Sequence, residues 1–407
     1  MKVCILTHTF PRHKSDAAAA FMEEFSNGLV EAGNKVIVVT PFDRQFRRSR
    51  DSFKVVIYKY IWPNNLHILG YSQTMEKDIA LRKRAYLLLP FLVLFGTIAL
   101  FKVVKREKVQ IINAHWILPN GLIAAIVSRL TGVPFVVTLP GTDAYLAYRY
   151  KLFGFMAKWI AQKSSGIISN SSWHLKRILK LGVSDKMTDI ISYPTDVSKI
   201  RPLKIGLKEY RKRHGFNKND LVILAIGRLV YKKGFDYLIQ AMPEVLDKYP
   251  KARLLIGGDG DLRQDLERLA RKLKVDTKVL FLGTIKRDEI IYYYNLSDIM
   301  VAPSIVDEKG NVDGGPVVSF ESMACGKPQI ATNILGVADV LRDGINGFVI
   351  PQRKSKAIAV ALDKLLISRT LREKMGRANR QLVVSGLNTR SIGREYTNFF
   401  KKVISLK

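Results

Sequence analysis

LVILAIGRLVYKKGFDYLIQA, Leu221 to Ala241, passes from six apolar residues through a glycine, an arginine and two lysines into a helix-period pattern. An all-apolar run of that length reads as a parallel strand buried on both faces, and the segment that follows keeps its apolar residues on one side of a helix. In open parallel sheets, ligands bind beyond the carboxyl ends of the strands, where helix N-termini present free N–H groups. Arg228 and Lys233 stand at such an end, and Gly227 and Gly234 let the backbone approach a ligand closely. Phosphate is the anion this arrangement suits. A solvated basic loop is the competing reading of an isolated R-x4-K in a lysine-rich chain.

The same alternation recurs on both sides. Upstream lie KVCILTHTF, FMEEFSNGLVEAGNKVIVVTP with Gly33 at the helix end, VQIINAHW, GLIAAIVSRLTG, PFVVTLPG and GIISNS. Downstream lie ARLLIGG, LRQDLERLARKLK, KVLFLG, EIIYYYNLSD, IMVAPS, VVSFESMACG, PQIAT and GFVIP. Two doubly wound, Rossmann-like α/β domains facing a cleft are expected, at 1–200 and 201–389. IRPLKIG, which interrupts the pattern at 200–206, is their join, and the C-terminal helix 390–407 is expected to cross back onto the first domain. A length of 407 residues suits two cores better than one.

Lys and Arg number 66 against 35 Asp and Glu, a net charge of +31, so the partners are expected to be anionic. The excess is spread through both halves and no nucleic-acid module is recognisable, so nucleic acid is not the expected partner. No G-x-G-x-x-G follows the first strand, where THTFPRHKSDAAAA stands, which argues against a dinucleotide-dependent oxidoreductase. Two cysteines, Cys4 and Cys325, give neither a disulfide framework nor a metal cluster. The first apolar run is too short for a signal peptide, so a cytoplasmic protein is expected.

In DGGPVVSFESMACGKP, 313 to 328, a loop of Gly314, Gly315 and Pro316 runs into a helix opened by Val317 and Val318, whose first-turn donors point at whatever lies over the loop. Glu321, one turn further in, is placed to accept two hydrogen bonds from a diol such as a ribose; the bland alternative is an exposed helix glutamate. Together with GRLVYKKG, these residues resemble the family 4 glycosyltransferases of the GT-B fold. The resemblance extends over most of the chain, through the FPR loop near Phe10, AHWILPNG, VPFVVTLPGTD, LIGGDGDL, VLFLGTI, ESMACGKPQIAT and NGFVIP.

Several expectations follow from the resemblance. Arg228 and Lys233 grip the diphosphate of a nucleotide sugar, with Gly227 and the 314–318 segment around it. Glu321, the second acid of an E-x7-E motif, binds the ribose, and Asp313, a shorter first acid, touches the transferred sugar. Hexosyl transfer is expected to retain anomeric configuration, with no cofactor and no metal; Asp259 and Asp261 of GGDGDL are read as turn and N-cap residues. The family's sugar-contacting histidine is absent, Pro140 standing in its place. His115 and Asp143 are the candidates to substitute, against the alternatives of a buried structural histidine and a helix N-cap.

ALRKRAYLLLPFLVLFGTIALFKVVKREK contains an uncharged run from Ala85 to Phe101 between clusters of Lys and Arg. A helix lying in a membrane interface and a helix buried in the first domain both fit. AYLAYRYKLFGFMAKWIAQK, which interleaves aromatic and basic residues, and the Arg44, Arg47, Arg48, Arg50 run point to anionic headgroups. A peripheral enzyme on the cytoplasmic face is expected, acting on a lipid-linked or cell-envelope saccharide; the alternatives are a soluble glycosyltransferase with a small acceptor and a basic nucleic-acid-binding protein.

Overall fold

The computed structural model describes every residue except 15, 17, 18, 49, 50, 71–74, 77–79, 82, 184–186, 204–206, 218, 309, 314–316, 335 and 407. The chain forms two compact units: Met1–Pro194 with Asn388–Lys407, and Thr195–Leu387.

The first unit contains β1 (Lys2–Leu6), β2 (Lys35–Pro41), β3 (Lys54–Tyr58), the short hairpin β4 (Met75–Glu76) and β5 (Ala80–Leu81), β6 (Ile111–His115), β7 (Phe135–Leu139), β8 (Gly166–Ser169) and β9 (Thr188–Ile190). Seven of these make a parallel sheet in the order β3-β2-β1-β6-β7-β8-β9. Strand alternation sends Cys4, Leu6, Ile37 and Val39 to one face, where the helices Lys83–Glu107, Leu122–Thr131 and Lys151–Lys163 complete the core. The helices Ala20–Glu31 and Thr389–Ser405 pack on each other so tightly that a Cβ on Gly393 would lie 1.9 Å from the Gly28 carbonyl oxygen. Asn34 Nδ2 donates to Thr397 Oγ1 at 2.7 Å in the same seam.

The Lys83–Glu107 helix is two-faced. Leu88, Leu92, Leu100, Val103 and Val104 enter the core, and Gly96 brings the helix so near its neighbour that a Cβ there would meet Ile123 Cδ1 at 2.8 Å. On the opposite side Leu87, Phe91, Leu94, Phe95 and Ile98 are exposed, Leu87 by 75%. The sequence reading offered a buried helix or an interfacial one; this helix has both faces because its two sides are equally apolar. Tyr86–Glu107 is long and apolar enough to cross a membrane, yet its core face ties it to the sheet.

The second unit contains β10 (Leu221–Ile226), β11 (Ala252–Gly257), β12 (Val279–Gly283), β13 (Ile299–Ala302), β14 (Gln329–Thr332) and β15 (Gly347–Ile350), parallel in the order β12-β11-β10-β13-β14-β15. Residues 195–203 belong to this unit; they carry no periodic pattern, and hydrogen bonds to distant residues hold them in place. Thr195 N–H donates to the Leu387 carbonyl at 2.9 Å, Arg380 to that of Ile200 at 3.1 Å, and Leu203 N–H to Asn295 Oδ1 at 2.7 Å.

Candidate functional site

In the second sheet the strand order reverses between β10 and β13, the switch point at which α/β sheets bind ligands. The loop after β10 carries Gly227 to Gly234, and that after β13 runs from Pro303 to Asp313 and beyond. The two loops are locked together. Ile305 N–H donates to the Lys232 carbonyl at 2.8 Å. Gly234 has φ +63°, and a Cβ on it would sit 2.2 Å from the Pro303 carbonyl oxygen, so only glycine fits.

This packing brings charge together. The Lys233 stem lies across Gly227, with its Cε 3.0 Å from where a Cβ would be, and its Nζ bonds to Asp313 Oδ2. Burial pushes the Asp313 carboxyl upward, but the charges of Lys233, Lys232 and Arg228 outweigh it and hold the group below its ordinary range. It is therefore ionised at neutral pH, in a cluster of three cations. Arg228 is exposed, whereas Lys232 is only 5% exposed. Sequence reasoning missed Lys232, since nothing in YKK separates a buried lysine from its neighbour.

Glu321 lies in the helix Val317–Ala324 and is not an exposed helix glutamate: its side chain is 1% exposed. Arg287, in the connection after β12, donates from Nη1 to Oε1, and the Tyr294 hydroxyl donates to Oε2. Tyr294, in the helix Ile290–Leu296, is fully buried, and burial, then the Glu321 charge and hydrogen bond, hold its phenol well above the ordinary value. It is a fixed donor. Neither partner was legible in the sequence, because 27 and 34 positions separate them from Glu321. Val317 and Val318 open the helix, half-buried; Gly314, Gly315 and Pro316 lie outside the described residues.

The remaining candidates belong to the first unit. His115 ends β6 with no exposed surface, its Nδ1 3.0 Å from the Tyr193 hydroxyl and its ring 4.8 Å from that of Phe25. Burial pushes its pKa down to about 3, so the ring is neutral, as a structural histidine is. Asp143 lies inside the first turn of the helix Thr142–Arg149; the N-cap position is Gly141, and the Asp143 side chain lies outside the described residues. The Pro140 carbonyl accepts from Asn170 Nδ2 at 3.0 Å. In the second unit Asp259 lies in the irregular stretch after β11, its Oδ1 accepting from Gly260 N–H at 2.8 Å, and the turn falls at Asp261 and Leu262 instead. The expectation that Asp261 is an N-cap is incorrect, because the turn carries the chain one residue further and Leu262 precedes the helix Arg263–Lys272. Among the described residues no group of three or more His, Cys, Asp or Glu is placed to hold a metal ion.

Two family models match the chain: Glycosyltransferase Family 4 over residues 18–199, and Glycosyl transferases group 1 over residues 207–382. An uncharacterised glycosyltransferase of Methanocaldococcus jannaschii is 24% identical, the match covering 98% of both chains. The GDP-mannose-dependent alpha-(1-6)-phosphatidylinositol monomannoside mannosyltransferase of Mycobacterium tuberculosis is 30% identical, over 51% of this chain and 54% of its own length. Among solved structures, Anabaena HepE in complex with UDP and glucose superposes with a TM-score of 0.76 at 17% identity, covering 99% of this chain and 100% of that one. That likeness concerns the fold.

Proposed function

The chain belongs to the family 4, group 1 glycosyltransferases, and from that premise we propose that it moves a hexose from a nucleotide diphosphate sugar to a lipid-linked or envelope saccharide, with retention of configuration. The observation that carries the donor reading is the cation cluster of Arg228, Lys232 and Lys233 around Asp313 at the β10/β13 switch point. Breaking the sugar to diphosphate bond leaves negative charge on the departing group and positive character on the anomeric carbon. Arg228 and Lys233, with the first turn of the Val317–Ala324 helix, stabilise that departing charge electrostatically, and such stabilisation is usually the largest catalytic term. Asp313 faces the sugar and Glu321 the ribose. Hydrolysis and transfer assays over a panel of UDP- and GDP-sugars, with a membrane extract as acceptor, test the reading; no donor turned over by wild type and lost in Lys233→Ala would overturn it.

The acceptor reading rests on the first unit's surface. The exposed stripe of Leu87, Phe91, Leu94, Phe95 and Ile98 continues into exposed Lys102, Lys105 and Arg106, and the Lys151–Lys163 helix, on the same sheet face, exposes Leu152, Phe155 and Trp159 among Lys151, Lys158 and Lys163. Apolar side chains ringed by cations suit an anionic bilayer, each cation contributing about 1 kcal/mol near the surface. That surface supports peripheral attachment to a membrane, which we propose to be at its cytoplasmic face. Binding to anionic vesicles that is partly salt-sensitive, and that Leu94→Gln with Phe95→Gln abolishes without unfolding, is the expected result. Wild type that ignores anionic vesicles at low salt refutes the attachment.

A further inference from the structure

Resting on the reading of Glu321 as the ribose acceptor, we propose that Arg287 is a resident counter-ion which the donor's ribose diol must displace from Glu321. A diol needs carboxylate oxygens it can reach, yet the Glu321 side chain is 1% exposed, and each oxygen, though it keeps a second lone pair, already holds one donor that covers it. The two donors are not equivalent. Tyr294 is fully buried beneath the carboxylate, whereas Arg287 is 20% exposed and is the partner on the solvent side. Its guanidinium is carried by the turn between β12 and the helix Ile290–Leu296. Tyr294 therefore fixes the carboxylate and Arg287 covers it.

The same logic is written a second time in the site. Lys233, one of the two cations assigned to the diphosphate, is engaged by Asp313. Two of the groups assigned to the nucleotide diphosphate are thus paired with partners of opposite charge, Lys233 with Asp313 and Glu321 with Arg287, while Arg228 is exposed. Donor entry then exchanges one set of charge-assisted bonds for another. A buried unpaired charge is costly, and exchange avoids leaving either group bare at any stage. It also makes ribose discrimination weaker than the bare Glu321 carboxylate would give, because the gain from the diol is offset by the ion pair it breaks.

Calorimetric titration of the full chain with UDP and GDP, each against its 2′,3′-dideoxy analogue, measures that discrimination. Wild type is expected to prefer the better-bound ribonucleotide over its dideoxy form, and Glu321→Ala to abolish the preference. Arg287→Ala and Arg287→Gln are expected to enlarge the ratio about tenfold even if overall affinity falls through the lost positive charge, and Arg287→Lys to restore it toward wild type. A ratio that collapses toward one in the Arg287 variants makes Arg287 a permanent clamp and overturns the exchange; an unchanged ratio makes it a bystander and does the same. Equal binding of both sugar forms by wild type and Glu321→Ala removes the ribose reading itself, and the inference with it. Thermal melting of each variant identifies any that is misfolded, and in that case the Gln variant decides.

Discussion

Replacing Asp313 by asparagine should tighten the binding of a free nucleoside diphosphate while impairing sugar transfer. The carboxylate bonds Lys233 directly, with both side chains less than a fifth exposed at 13% and 17%, and at contact such a pair attracts with about 4 kcal/mol at the effective dielectric of a protein surface. Desolvation and solvent screening remove most of that, so a net release of about 1.4 kcal/mol, or about tenfold in Kd, is a reasonable magnitude for freeing Lys233. The nucleotide sugar gains less, since the asparagine no longer offers the transferred sugar a charged acceptor. Lys233→Met takes away the cation itself: about 3 kcal/mol of barrier stabilisation lost, a fall of about a hundredfold in kcat/KM. Calorimetry with UDP and GDP, and transfer rates with the matching sugar donor, measure both. Weaker nucleotide binding by Asp313→Asn, or near wild-type turnover by Lys233→Met, would refute the argument that the two residues compete with the donor for each other.

Acid should destabilise the first unit through His115. Its folded pKa, about 3, lies below the ordinary value of 6.5, so the unfolded chain binds a proton that the folded one refuses, and stability falls as pH drops below 6.5. At pH 4.5 the loss is of order 3 kcal/mol; the decline of Tm between pH 6.5 and 4.5 should be shallower in His115→Gln, and an equal slope counts against the neutral, buried ring. Gly393→Ala should lower stability by about 1–3 kcal/mol, because the new methyl meets the Gly28 carbonyl. Gly386→Ala, where a Cβ meets nothing within 4 Å, serves as the control, and equal melting of the two variants contradicts the seam.

The fold was legible because parallel strands buried on both faces leave unbroken apolar runs, and LVILAIG, ARLLIGG and VQIINAHW announce themselves that way. The loop residues Gly227, Arg228, Lys233 and Asp313, and the helix residue Glu321, stand out in the sequence because two short motifs carry them. What escaped depends on contacts between distant segments. Tyr294 meets Glu321 only once two helices pack, Arg287 only once the connection before the first of them folds over it, and Lys232 is buried only because the β10 and β13 loops lock. The Lys83–Glu107 helix hid its orientation for a different reason: with leucine and phenylalanine on both sides, periodicity has nothing to contrast. The unit boundary escaped because a strapped-down irregular segment and a free linker share the same lack of pattern.

The seam between Ala20–Glu31 and Thr389–Ser405 has a consequence for truncation. Residues 195–387 form a unit with its own sheet and core, and that unit needs nothing after Leu387. The first unit depends on the far end of the chain, because Tyr396 packs on Phe25 and Thr389 closes on Gly28. Removing residues 388–407 would therefore leave the second unit entire and open an apolar gap the length of a helix in the first.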